Sequence, residues 1–396
     1  MTPTNSIQNQ SPRIRSIRKL RQWIREGLLP AGEPLPPENE LADKLQVSRT
    51  TVRAAVKAIE DEGLVRTADN RRRIVLKNKA SSDSLLSDTV TIITHLGEAW
   101  PSGVHQPVAT GWERYIQIGL VDAIRNAGLH ALTLRFDRLH DDQVKKLLLE
   151  QPRGLVLMRP TLLSREVLAV ARQLRESGVP IVSYGYSHGL EFDSLTSDHA
   201  DGCQKLCQWL IENGRRRILR VWDRPIGAEI EEWRRQRDIG YEISMRQADL
   251  EVLPPLEVPP LPEAAIQSRE AFDLRARLIL GYLWEHLSGP NPVDAILGLT
   301  DGACYPISAA CRMLGKQPNR DITVVGYDNY WQDSPHRKWE SAGPAATIDK
   351  LNLDLGKELM DLLLDRANGK LPPEPQLRLM QPRLRIIEQD GMDSGR

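Results

Sequence analysis

Long apolar runs are missing from this sequence. Nothing in its 396 residues approaches the ~18 consecutive apolar positions of a membrane-spanning helix, and the N-terminal MTPTNSIQNQSPRIR has no apolar core of the kind an export signal carries. The expectation is a cytoplasmic protein with no membrane partner. Cysteine is scarce. Cys203, Cys207, Cys304 and Cys311 form no C-x-x-C and have no histidine cluster beside them, which points away from metal ligation or a disulfide framework and towards buried thiols in a reducing compartment. A glycine-rich phosphate loop, a nucleophile elbow and a histidine pair at metal spacing are also lacking. No catalytic residue, metal or cofactor is therefore assigned, and an enzyme is not expected.

Net charge is absent as well, at 53 Lys and Arg against 53 Asp and Glu, but the balance holds only in sum. Residues 12–79 carry 16 cations against 9 acids, a net of +7, so the remainder carries −7. A basic head on an acidic body suits a nucleic-acid binder whose second domain faces away from the nucleic acid.

The most informative stretch lies in that head, from Leu35 to Leu76. Pro37 to Leu45 reads as a short helix, opened by a proline whose missing N–H costs nothing in the first turn, with Leu41, Ala42 and Leu45 on one apolar face. Gln46 and Val47 make a turn, and Ser48 caps a second helix. Val52, Ala55, Val56 and Ile59 then fall at the spacing of a buried stripe, and Gly63 ends the helix. At about 100° per residue, Thr50, Arg53 and Lys57 share an arc away from that stripe, with Arg49 projecting from the first turn. Leu64–Thr67 and Arg72–Leu76 read as two strands of a wing whose tip holds Arg71, Arg72 and Arg73. Residues 12–28 form a preceding helix with Ile14, Ile17, Leu20 and Ile24 inward. The alternative is a small α+β domain with a solvated basic face.

Leu35-Pro36-Pro37-Glu38-Asn39-Glu40-Leu41-Ala42 and Val47-Ser48-Arg49-Thr50-Thr51-Val52-Arg53-Ala54-Ala55 resemble the L-P-S-E-R-x-L-A and V-S-R-x-T-V-R-x-A signature of the GntR winged helix. Asn39 stands where that family commonly has arginine, and the wing carries arginines in place of its usual glycines. The resemblance implies a recognition helix in the major groove. Its DNA-facing set would be Glu38, Asn39, Ser48, Arg49, Thr50, Thr51, Arg53, Lys57, Arg71, Arg72 and Arg73.

Residues 1–11 are polar and uncharged and are read as a disordered tail ahead of a head spanning 12–77, with a serine- and charge-rich linker at 78–88. From 89 to 390 strands and helices alternate, the pattern of a parallel α/β sheet. Strands are expected at 90–95, 130–136, 154–159, 180–184, 217–222, 294–299 and 322–327. Helices are expected at 111–127, 139–150, 164–177, 198–213, 229–248, 265–287, 302–314 and 346–368. Proline-rich 254–262 reads as an extended surface connection. The loop 98–110, with Trp100 and His105, follows the first strand's end, where open α/β sheets bind ligands.

Four places in this body resemble the LacI/GalR sensor module, itself similar to periplasmic sugar-binding proteins. They are Thr196–Gly202 leading into Trp209–Ile218, Arg237-Asp238-Ile239-Gly240-Tyr241, Ala295–Ala303 with Thr300 in place of asparagine, and Asp321–Asn329. The fold class is thus an α+β winged helix-turn-helix head plus an α/β two-lobed, periplasmic-binding-protein-like body. Lobe 1 would be about 89–195 with 346–370, and lobe 2 about 196–345 with 371–390. The resemblance implies that Arg237 and Asp301 grip ligand hydroxyls from lobe 2. Tyr184, Trp112 and His95 would serve from lobe 1, Lys350 would lie at the crossover, and Asp328 would anchor the hinge. Arabinose-type repressors share this pairing of head and body. The expected protein is a regulator, a repressor by family habit, acting as a homodimer on a palindromic double-stranded DNA operator and released by a small sugar such as a pentose. A non-sugar metabolite or a protein partner in the cleft, and a sugar-acting enzyme, are the alternatives.

Overall fold

A computed structural model of the chain describes residues 12–25, 27–61, 63–68, 72–76, 86–94, 111–135, 150–186, 191–223, 230–261 and 268–388. The tail 1–11, most of the linker, Arg71, His95, the loop with Trp100 and His105, and most of the helix expected at 139–150 lie outside the described residues. The chain divides into two compact units, residues 1–91 with 139–154 and 165–179, and residues 92–138 with 155–164 and 180–396.

The first unit contains α1 (Pro12–Arg25), α2 (Glu38–Leu45), α3 (Arg49–Asp61), β1 (Val65–Thr67) and β2 (Arg73–Val75). Gln46 ends α2 in the left-handed region at φ 52°, and its N–H reaches back to the Ala42 and Asp43 carbonyls. That reversal makes the tight turn into α3. Leu20 and Ile24 of α1, Leu41 of α2, the Val52–Ala55–Val56–Ile59 stripe of α3, and Val65 and Val75 of the antiparallel wing close one core. Helical and two-residue periods converge on it, which is what a winged helix requires.

Further along the chain come β3 (Thr89–Thr94), α4 (Gly111–Asn126), β4 (His130–Arg135), β5 (Gly154–Met158), α5 (Arg165–Glu176), β6 (Ile181–Tyr184) and β7 (Asp193–Ser197). They are followed by α6 (His199–Glu212), β8 (Ile218–Asp223), α7 (Glu232–Gln247), β9 (Leu256–Val258), α8 (Arg269–Ser288), β10 (Ala295–Gly298), α9 (Asp301–Met313) and β11 (Thr323–Val325). β12 (Ala346–Asp349), α10 (Asn352–Ala367), β13 (Leu377–Met380) and β14 (Arg383–Ile386) complete the order. One sheet runs β13-β7-β6-β5-β3-β4 and a second β11-β10-β8-β9, with β12 and β14 paired separately. Every strand pair of the second sheet is parallel, as are β5–β6, β6–β7 and β13–β7. Loops at the carboxyl ends of both sheets are therefore the natural place for a site.

Three departures from the expected elements have physical causes. Residues 346–349 are strand, not the start of a helix. The β-branched pair Thr347-Ile348 sits where the Gly326 and Asp328 amides bond to the Ala346 and Ile348 carbonyls at 2.9 and 2.8 Å, and Leu351 at φ 59° then resets the chain into α10. β9 lies inside the proline-rich connection because Leu256–Val258 itself holds no proline and occupies a sheet edge. β13, expected in lobe 2, joins the first sheet beside β7, while β12 lies alongside β11. β12 and β13 thus lie in the opposite lobes to those expected, while α10, packed on α4, and β14, paired with β12, lie where expected.

The four cysteines are free and buried. Among the described residues no helix is long and apolar enough to cross a membrane, and no cluster of His, Cys, Asp and Glu could hold a metal ion.

α4 and α10 cross at two glycines. A Cβ on Gly356 would lie 2.1 Å from the Ile116 carbonyl oxygen and 2.4 Å from the Leu120 nitrogen, and one on Gly119 would lie 2.0 Å from the Leu353 oxygen. These are backbone atoms that cannot rotate aside, so the helices would have to separate. Gly356→Ala is expected to destabilise the protein by about 1–3 kcal/mol or more, read as a lower urea midpoint at unchanged m-value.

Candidate functional site

The head presents one face. Ser48 caps α3, its Oγ accepting from the Thr51 amide at 3.2 Å and sharing a hydrogen bond with the Thr51 hydroxyl at 2.8 Å. With the apolar stripe buried, Arg49, Thr50, Arg53 and Lys57 are exposed, and so are Asn39 and Arg72. Glu38 is the organising group. Its carboxylate accepts from Arg53 Nη2 at 2.8 Å and Nε at 3.2 Å, and from Arg73 Nη1 at 3.0 Å. Arg73 in turn lies 3.5 Å from Glu60, which accepts from the Thr67 hydroxyl at 2.5 Å. The Arg53 hydrogen bond, against some burial, holds the Glu38 carboxyl below the usual carboxylate range. α2, the exposed face of α3 and the wing are thereby tied through one acid. Glu38, grouped by sequence with the DNA-facing residues, is placed as the holder of two of them.

In the second unit the expected site residues divide. Arg237, Tyr184, Trp112 and Lys350 come together; Asp301 does not join them. Asp301 is fully buried, and its carboxylate accepts from the Tyr330 and Trp331 amides at 2.8 and 3.1 Å and from the Thr347 hydroxyl at 2.6 Å. It anchors the loop after β11, and the α9 cap is Thr300, whose Oγ1 accepts from the Ala303 amide and from the Tyr330 hydroxyl. Burial raises the Asp301 carboxyl to about 8, opposed by those three donors.

Asp328 stands at the centre of the cluster, at φ 92°, a strained backbone for a residue with a side chain. Lys350 Nζ is 2.9 Å from its Oδ1 and Arg237 Nη2 is 3.7 Å away, with all three side chains at most 3% exposed. Arg237 has its Cζ over the Tyr327 ring, 3.4 Å from the centroid, and 4.8 Å from that of Trp233. Its Nη1 donates to the Leu299 carbonyl at 2.7 Å and its Nε to His199 Nδ1 at 3.4 Å. Nδ1 is thus the acceptor, which puts the imidazole proton on Nε2. Burial first, then Arg237 and Lys350, keep His199 neutral, well below the usual histidine range.

The other side of the cluster comes from the start of α4 and the end of β6. Lys350 rests 3.7 Å above the Trp112 ring, and Trp112 tilts against Tyr184 at 5.8 Å. Glu113, beside Trp112, is buried, and its carboxyl is pushed up to about 7 by that burial, opposed by Arg159 and Lys350. Contacts between the lobes include Arg159 to Glu231 at 3.3 Å and the Tyr115 hydroxyl donating to Asp333 at 2.5 Å. Trp233 Nε1 also donates to Glu231 at 2.7 Å. The sequence reading missed Glu113, Arg159, His199, Glu231, Trp233 and Tyr327. His199 and Tyr327 lay inside quoted motifs and next to parallel-strand ends, a signal that could have found them. Arg159, one residue past β5, was equally placed. Chemically, the cluster offers paired donors and acceptors beside flat aromatic faces, suited to a polyhydroxylated ring.

Comparison with known proteins follows the same division. Residues 15–75 match the family model "Bacterial regulatory proteins, gntR family". The chain is 25% identical over 223 residues to the HTH-type transcriptional regulator CelR of Thermobifida fusca, covering 55% of this chain and 58% of that protein. It is 37% identical over 70 residues to the HTH-type transcriptional repressor NanR of Cronobacter sakazakii, covering 18% and 26%. The chain thus spans little more than half the length of the first of these curated relatives and about a quarter of the second. In fold, it is similar to a CelR–cellobiose complex with a TM-score of 0.56 at 20% identity, over 86% of this chain and 91% of that one. The architecture is a GntR-type winged helix followed by a LacI-like, periplasmic-binding-protein-like body.

The two raised carboxyls make stability depend on pH. A carboxyl whose folded pKa exceeds its unfolded value keeps its proton longer when folded, so its contribution is full below the unfolded pKa and is lost as pH rises through the folded one. Glu113 loses on the order of 3 kcal/mol between its ordinary 4.5 and about 7, whereas His199 acts in the opposite sense below 6.5. The measurement is therefore the difference between Glu113→Gln and wild type in urea unfolding from pH 5 to 8. That difference should move in favour of Gln as pH rises and level off above 7; a pH-independent difference would refute the assignment.

Proposed function

We propose that this chain is a ligand-responsive transcriptional regulator rather than an enzyme, a repressor that binds a palindromic operator as a homodimer and releases it when a small saccharide occupies the body. The observation that carries this reading is the Glu38–Arg53–Arg73 bridge. It holds an arginine of the exposed α3 face and one of the wing in a common frame, which a solvated basic face with no target does not need. Arg49, Thr50, Arg53 and Lys57 are the groups for base edges and phosphates, and a two-fold pair of such heads reads half-sites about one helical turn apart.

Support for a saccharide effector comes from the cluster around Asp328 and from the similarity to a regulator whose complex holds cellobiose. Trp112 and Tyr184 supply the apolar faces, and Arg237, Lys350, Asp328 and Glu113 supply donors and acceptors. The effector acts only through a different affinity for two arrangements of the body, whatever its identity.

Operator sequences selected in vitro from random duplexes, with salt held fixed, test the head. Arg53→Ala should weaken specific binding tenfold or more and relax the base preference at one position of each half-site. Glu38→Gln removes a negative charge near the phosphates while freeing Arg53, so non-specific binding should tighten as specific binding weakens, and the ratio between them should fall about tenfold. A ratio unchanged in Glu38→Gln rules out the positioning role.

The body is tested separately by thermal shift and by operator release over a panel of mono- and disaccharides that includes pentoses and cellobiose. A true effector at a hundred times its dissociation constant adds about 2.7 kcal/mol to stability. Trp112→Ala should abolish that shift while leaving sugar-free operator affinity within about twofold. If no saccharide shifts the melting point or releases DNA, the sugar reading fails and the DNA-binding reading stands.

A further inference from the structure

Two cations and one ionised carboxylate are sealed together in the cluster. Lys350, Arg237 and Asp328 have side chains at most 3% exposed. A cation taken out of water needs a countercharge at close range, and here one carboxylate serves two. Asp328 serves them unequally. Lys350 Nζ stands 2.9 Å from its Oδ1, whereas Arg237 Nη2 stands 3.7 Å away, beyond hydrogen-bond length.

The surrounding groups do not restore the balance. Arg159, one residue past β5, is paired with Glu231 at 3.3 Å, so those two charges offset each other. His199 is held neutral, and the Asp301 carboxylate is taken up by the Tyr330 and Trp331 amides and the Thr347 hydroxyl. Glu113, in the first turn of α4, is the remaining acid. Burial pushes its carboxyl up to about 7, so near neutrality it carries only part of a charge.

Hydrogen-bond geometry points the same way. Arg237 uses Nη1 on the Leu299 carbonyl at 2.7 Å and Nε on His199 at 3.4 Å, which leaves Nη2 as a donor for a further acceptor. Lys350 has three N–H groups, one carboxylate oxygen in reach, and the Trp112 ring 3.7 Å away. A sugar hydroxyl needs no second cation, because one buried cation with one carboxylate already offers it a donor and an acceptor. An ionised acceptor is held about twice as strongly as a neutral one. It can also draw the Lys350 ammonium off Trp112 and replace the lost cation–π contact with a stronger one, which uncovers the ring for stacking.

We infer that the effector of the body is an acidic saccharide, whose carboxylate or phosphate is held by Lys350 and Arg237 while its ring lies against Trp112 and Tyr184. This rests on the saccharide reading of the body and narrows it.

The test is isothermal titration of the full chain, without DNA and at fixed ionic strength, with pairs of sugars that differ in one anionic group. Galacturonate is set against galactose, glucuronate and glucose 6-phosphate against glucose, ribose 5-phosphate against ribose, and cellobionate against cellobiose. Inorganic phosphate and acetate serve as anions without a sugar. At least one acidic sugar should bind tenfold or more tighter than its neutral counterpart, and the carboxylate and phosphate arms tell which group is taken. Lys350→Gln should bring that ratio within about threefold, and Lys350→Arg should keep most of it; melting curves check that each variant folds. If Lys350→Gln does not fold, the wild-type ratio decides alone. A neutral sugar that binds as tightly as its acidic counterpart would overturn the inference and leave the saccharide reading intact. A preference that survives in folded Lys350→Gln, or equal binding of phosphate or acetate alone, would also overturn it. Binding of no sugar of either kind would sink the saccharide reading and this inference together.

Discussion

A carboxylate with almost no access to water must have cations, and Asp328 has two. Lys350 and Arg237 reach it from different parts of the chain, one just after β12 and one on α7, and all three side chains are nearly sealed. Neither cation could be buried alone, since an unpaired charge in such surroundings costs several kcal/mol. The pairing therefore decides where β12 ends, how Leu351 turns into α10, and why Asp328 tolerates φ 92°. The Asp328 amide is bonded to the Ile348 carbonyl at 2.8 Å, and its own carbonyl accepts from Asn352 Nδ2 at 3.2 Å. Strain at a backbone position persists only where its neighbours over-determine it, and here strand, helix start and ion pair all do.

The head uses the same device for another end. Glu38 also holds two cations, but Arg53 is 68% exposed where Arg237 is 3%, so solvent screens the interaction and its contribution to stability is small. What it supplies is direction. A free arginine on α3 would sample many rotamers, and a bidentate partner removes most of them. Buried charge thus sets the geometry of the body, and exposed charge sets the pose of the head.

Those two regimes also explain what could be read from the chain. Winged-helix elements were legible because their signals are local: a capping Ser48, a stripe at 52, 55, 56 and 59, a stop at Gly63. Each matched its observed element to within a residue or two. β7, with Asp193 and two serines, was not legible, because its strand character comes from parallel partners on both sides and not from its own hydrophobicity. The same holds for β12 and β13, whose lobe depends on pairing far along the chain. In the cluster, Arg237 and Lys350 were placed by resemblance. Asp301, read from the same motif, has its carboxylate taken up by two amides and a hydroxyl, an outcome set by the loop 327–331 that no spacing reveals. Glu113 was invisible for a simpler reason: an acid beside a tryptophan at a helix start reads as a solvated first-turn residue, yet it is fully buried.

These arrangements constrain how any small molecule can act on the body. Arg237 already spends its guanidinium on Leu299, His199 and Asp328, and Lys350 covers the Trp112 face that a sugar ring would stack against. A ligand hydroxyl that takes a hydrogen bond here replaces one that exists, so the net gain per contact is a difference between two similar terms and not the full strength of either. Affinity must then come chiefly from aromatic area and from fit, while the exchange of polar partners supplies selectivity. Moving the Lys350 ammonium off Trp112 also disturbs the ion pair that fixes the end of β12 and the start of α10. Under the proposed reading, a ligand bound at this place would be coupled to the geometry of the crossover itself, and the coupling free energy would be limited by how differently Asp328 is satisfied in the two arrangements.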